Sequence, residues 1–112
     1  GLADGVGGWS REGVDSGLFS RALLRNVHAE LKRRSDGLSG LPNLPDTARA
    51  AFGAVREAEI LGSSTLLLAQ LHMNMLSVLN LGDCGILAFR PMLVQPRFVG
   101  GTPEPALRLL YR

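Results

Sequence analysis

The chain opens GLADGVGGWSREG, which sets one carboxylate, Asp4, beside Gly5, Gly7 and Gly8 and just ahead of Trp9. Glycines at this density let a backbone come close to something. Three uses fit: a phosphate cradle, a tight turn, or a site for a hard cation, in which a carboxylate and backbone carbonyls supply the oxygen ligands. A dinucleotide fingerprint read from Gly5 puts Ser10 where its third glycine belongs, and it needs a βαβ unit that does not follow. A Walker loop needs a lysine, and none occurs before Lys32. The patterns G-x-S-x-G and H-E-x-x-H are also missing, which leaves no motif for a serine esterase or a zinc protease. Taken alone, the stretch fits an Asp-Gly turn better than a cation loop.

The other candidates are sparse. His28 and His72 have no Cys, Asp or Glu at zinc-ligand spacing. Cys84, the one cysteine, cannot form a disulfide within the chain, and no basic neighbour in sequence marks it as reactive. A formal net charge of +2 is too small to argue for nucleic acid, and few aromatics are present to stack on bases. No long uncharged apolar run is present, so no membrane span is expected.

The elements that must position these residues follow from periodicity. Residues 1–15 read as loop. Phe19, Leu23, Val27 and Leu31 recur every fourth residue, which predicts a helix over 16–34 capped by Asp15 or Ser16. Arg21, Arg25, His28 and Lys32 share its opposite side as a solvated basic face. Residues 35–46 read as a linker, and a second helix is expected over 47–60, capped by Asp46 or Thr47. The period then changes to that of strands. Residues 64–71 are expected as a strand buried on both faces, 72–74 as a turn, and 75–81 as its hairpin partner. GDCG is a tight turn leading to a third strand over 86–90. Residues 91–105 read as irregular, and 106–112 as a fourth strand. Strands joined by hairpins behind two helices predict an α+β fold with an antiparallel sheet.

Three stretches taken in order say more: ADGVGGW (residues 3–9), GSST (62–65) and NLGDCG (80–85). Together they resemble the protein phosphatase 2C family of metal-dependent Ser/Thr phosphatases, in the branch that carries DGVGGW where typical members have DGHGG. GVDSGLFSRALLR, residues 13–25, is similar to the helix that follows in that branch. The resemblance implies a β-sandwich of two antiparallel sheets with helix pairs outside. It also implies two Mg²⁺ or Mn²⁺ ions sharing a bridging water, with phosphoserine and phosphothreonine proteins as substrates. Asp4 then matches the aspartate that bridges both metals, and Gly5 the residue whose backbone carbonyl binds one. Residues 63–65 match the start of a central strand that reaches the metal end. Asp83 matches an aspartate that helps hold a third metal in some members, against the plainer reading of a turn capped by its side chain.

The departures from the family are specific. Val6 stands where typical members have a histidine proposed as general acid, and valine cannot transfer a proton. The branch shares that change. Cys84 replaces the usual serine. The family's upstream acidic ligand and phosphate-binding arginine would lie before residue 1, and its downstream aspartates beyond residue 112. Residues 1–112 are therefore expected to be a partial domain, inactive alone, with no catalytic side chain of its own and a metal set limited to Asp4 and Gly5. The alternative is a catalytically inactive scaffold that serves as an interaction module. The branch includes mitochondrial and plastid members, which sets an intracellular expectation.

Overall fold

In the computed structural model of the chain, the fourfold apolar repeat becomes helix α1, Ser16–Ser35. The structure describes residues 1–35, 41–92, 98–99, 102–103 and 106–111. Asp15 caps α1, its Oδ1 accepting the Gly17 N–H at 2.8 Å, one of the donors that a first turn leaves open. That bond, and then the Arg21 guanidinium at 2.8 Å, hold the Asp15 carboxyl below its ordinary range. Arg21, Arg25, His28 and Lys32 are all exposed, as a solvated face requires.

Helix α2 spans Leu44–Glu57, starting one turn earlier than the sequence suggested. Its cap is Asn43, not Asp46 or Thr47: Asn43 Oδ1 accepts the Asp46 N–H at 3.0 Å. Pro45, which marks linker by composition, sits in the first turn, where its missing N–H leaves no bond unmade. Thr47 is fully buried and donates its hydroxyl to the Asn43 carbonyl at 2.9 Å.

The two helices pack on each other and on the start of the sheet. Phe19, Leu23 and Val27 meet Leu44, Ala48, Ala51 and Val55, with Leu66 and Leu68 beneath. The small side chains Ala48 and Ala51 let the helices approach, and Phe19 and Phe52 lie with ring centroids 6.2 Å apart. Leu23, Val55 and Leu66 are wholly buried, each worth about 1.5–3 kcal/mol of transfer free energy.

Strands β1, Leu66–His72, and β2, Met75–Leu81, form the expected antiparallel hairpin, in register from Leu66↔Leu81 to His72↔Met75. Two details differ from expectation. Only Leu66, Leu67 and Leu68 of β1 are buried, and of these Leu66 and Leu68 pack against the helices, which cover just its first half. His72 is the last strand residue rather than part of the turn, which is reduced to Met73 and Asn74. The third strand does not extend this hairpin. Strand β3, Ala88–Met92, pairs instead with β6, Ala106–Tyr111, from Phe89↔Leu109 to Met92↔Ala106. Residues 84–87, which form no regular structure, separate β3 from β2. Within the stretch expected as irregular, β4, Phe98–Val99, pairs with β5, Thr102–Pro103. The rest of that stretch (93–97, 100–101 and 104–105), residues 36–40 of the linker and residue 112 lie outside the described residues. The architecture is α+β, with a helix pair on one side of an antiparallel sheet.

Candidate metal centre

The opening residues are not loop. Leu2 and Leu67 exchange both backbone hydrogen bonds at 2.8 Å. Further along, the Thr65 N–H donates to the Asp4 carbonyl at 2.9 Å and the Val6 N–H to the Ser63 carbonyl at 3.0 Å. Residues 2–6 therefore run antiparallel to 63–67, and β1 lies between them and β2. The sequence hid this strand because glycines and one polar residue replace the apolar alternation that announces a strand. Gly7–Glu12 then coil into a short 3-10 helix, and the Val14 N–H on the Trp9 carbonyl, 3.2 Å, closes the turn that leads to α1.

The ladder decides where each ligand group points. Asp4 faces β1 with its main chain: its carbonyl also receives the Ser64 hydroxyl at 3.0 Å, and its N–H donates to Thr65 Oγ1 at 3.1 Å. Gly5 is the alternate residue, bridged to Ser64 without bonding it, so its carbonyl points away from β1. Only glycine fits there, since a Cβ would collide with the Ser16 carbonyl oxygen at the start of α1. The Asp4 residue is exposed, and no side chain among the described residues donates to its carboxylate. One free carboxylate beside one outward carbonyl is the donor chemistry of a hard cation.

The third stretch arrives at the same place. Thr65 Oγ1 lies 3.1 Å from Cys84 Sγ, so GDCG is anchored one residue pair from Asp4. Asp83 does not cap this turn. The Asn80 amide holds it instead, Nδ2 donating to the Cys84 carbonyl at 2.6 Å. Sequence reasoning missed two partners. Trp9 Nε1 donates to Ser63 Oγ at 2.8 Å, and Thr65 joins Asp4 to Cys84. Trp9 offered a signal, as the one tryptophan of the chain inside its glycine-rich stretch.

Other candidates stay apart. His28 is exposed on α1 and His72 at the far end of β1. Among the described residues, no group of three His, Cys, Asp or Glu stands together as a metal cage. Asp4 and Gly5 thus place one carboxylate and one outward carbonyl side by side, short of the six or so oxygens that Mg²⁺ takes. No helix among the described residues is long and apolar enough to cross a membrane.

No family model matches the chain, and no solved structure matches it. Curated proteins do. It is 33% identical over 90 residues to the probable protein phosphatase 2C 62 of Arabidopsis thaliana, covering 80% of this chain and 12% of that protein. It is 38% identical over 90 residues to the probable protein phosphatase 2C BIPP2C1 of Oryza sativa subsp. japonica, covering 80% and 15%. It is 39% identical over 109 residues to the protein phosphatase PTC7 homolog fig of Drosophila yakuba, covering 93% and 33%. The chain thus spans between 12% and 33% of the length of these relatives. Three ordered motifs meeting around Asp4, together with identities of 33–39% over four-fifths of the chain or more, identify it as a stretch of protein phosphatase 2C-like sequence.

Proposed function

We propose that residues 1–112 are part of a phosphatase 2C-like domain in a protein that hydrolyses phosphoserine and phosphothreonine in other proteins. In this reading Asp4 and Gly5 form one edge of a centre for two Mg²⁺ or Mn²⁺ ions. The observation that carries it is the pairing of residues 2–6 with 63–67. That pairing sets the Asp4 carboxylate, which has no donor among the described residues, beside an outward carbonyl at Gly5. The relatives, themselves named protein phosphatases, support the reaction class.

When bound, such a pair of cations supplies an acidified water and neutralises charge on the phosphoryl oxygens. The chain's own residues have narrower tasks. Asp4 would hold cations through its carboxylate and Gly5 through its carbonyl. Ser64 and Thr65 keep the Asp4 backbone still through bonds of 2.9–3.1 Å. Val6, 45% exposed beside them, carries no proton, so the leaving oxygen takes its proton from solvent or from a group elsewhere in the protein. The sheet face opposite the helices leaves Leu2, Leu71 and Leu76 exposed, as one half of a sandwich would before its second sheet covers it.

The test is Asp4→Ala in the full-length protein, assayed on a phosphothreonine peptide with Mn²⁺. Turnover is expected to fall by about a hundredfold or more, with weaker Mn²⁺ binding. Unchanged turnover and unchanged Mn²⁺ affinity would overturn the assignment. A full-length protein that folds but shows no turnover before mutation would favour the alternative, an inactive scaffold that binds partners.

A further inference from the structure

We infer that Trp9 and Ser63 are positioning residues that fix the Asp4–Gly5 edge for its cation; the inference rests on the metal reading above. The edge is held from behind by the ladder to Thr65. Ahead of it the ladder ends at Val6, and Gly7 and Gly8 follow. Neither glycine is packed: a Cβ at either would meet nothing within 4 Å. Two unpacked glycines one residue beyond Gly5 form a joint that costs conformational entropy to hold still.

The far side of that joint is tied back to the strand start by one residue. Ser63 accepts the Val6 N–H on its carbonyl at 3.0 Å and the Trp9 indole N–H on its Oγ at 2.8 Å. It therefore grips the chain on both sides of Gly7–Gly8. Trp9 is fixed in turn, with its N–H on the Val6 carbonyl at 3.3 Å and its own carbonyl receiving the Val14 N–H at 3.2 Å. Opposite this clamp, Gly5 is wedged against the Ser16 carbonyl. The indole bond closes a ring of contacts from Ser63 through Val6, the glycines and Trp9 back to Ser63. Gly5 stands just outside that ring, and its carbonyl belongs to the same peptide unit as the Val6 N–H that Ser63 holds. Removing the N–H or the hydroxyl frees the joint without touching either ligand.

The experiment is calorimetric titration of Mn²⁺ into the full-length protein, with melting temperature followed in parallel. Trp9→Phe keeps an aromatic side chain but removes the N–H together with the pyrrole half of the indole, whereas Ser63→Ala removes only the acceptor and is the cleaner test of the bond. Each is expected to weaken Mn²⁺ binding about tenfold. The double variant should be no weaker than either single, because both remove the same bond. Ser63→Thr, which keeps a hydroxyl, should bind as the parent does. If Trp9→Phe and Ser63→Ala bind Mn²⁺ normally while Asp4→Ala does not, the clamp is overturned and the metal reading stands. If Asp4→Ala also binds normally, the metal reading itself fails and the clamp falls with it.

Discussion

A single methyl group separates what Gly5 can do from what any other residue could do there. A Cβ would strike the Ser16 carbonyl oxygen, a backbone atom that cannot turn aside. Gly5→Ala is therefore expected to cost about 1–3 kcal/mol in urea unfolding, and to disturb the one residue assigned a ligand role through its main chain. Gly8→Ala, which adds its methyl to open space, is the matched control and should change stability by about 0.5 kcal/mol or less. Asp4→Ala probes the other ligand through Mn²⁺-dependent turnover. Both ligand candidates came from the resemblance carried by the three ordered motifs, since the glycine-rich stretch alone reads as an Asp-Gly turn. Their supports were not legible in the sequence. Ser63 lies 54 residues from Trp9, and Thr65 lies 61 residues from Asp4. No local pattern announces a hydrogen bond across such separations.

Helix α1 carries its own electrostatic bracing at the C-terminal end. Glu30 accepts from Arg33 at 2.7 Å and from Arg34 at 2.6 Å. Hydrogen bonds from Arg33, then Arg34, hold its carboxyl at about 2, against an ordinary value of 4.5. The folded state therefore favours the ionised form. Its stabilisation is complete above about pH 4.5 and is lost as the pH falls towards 2. Thermal unfolding followed between pH 5 and pH 2 should show this loss, and Glu30→Gln should flatten it; identical acid profiles would contradict the pairing. The body of α1 was legible from its fourfold repeat. The start of α2 was not, because Pro45 has the composition of a linker while serving as a first-turn residue behind the Asn43 cap. The third strand was misplaced for a related reason. Alternation identifies a strand but not its partner, and β3 joins β6 rather than β2.

Taken whole, the chain is more open than a self-sufficient domain of its size. Its radius of gyration is 18.8 Å, against about 13 Å for a compact domain of about 100 residues. The helices cover one face of the sheet, and Leu2, Leu71 and Leu76 lie uncovered on the other. The proposed cation edge is likewise partial, with Asp4 and Gly5 as its two candidate ligands. Under the proposed function, the 112-residue chain alone is expected to show no Mn²⁺-dependent turnover of a phosphothreonine peptide. Turnover by the short chain that disappears in Asp4→Ala would contradict this. What the sequence determined by itself was local: apolar spacing that makes α1, β1, β2 and β6, and short motifs whose order marks a phosphatase 2C-like stretch. Tertiary structure decided which groups meet. Only backbone pairing of residues 2–6 with 63–67 turns the Gly5 carbonyl outward, brings Thr65 between Asp4 and Cys84, and sets the Trp9 indole on Ser63. The side-chain bonds among these join residues 19 to 61 positions apart, and their geometry exists only once the helices and β1 have packed.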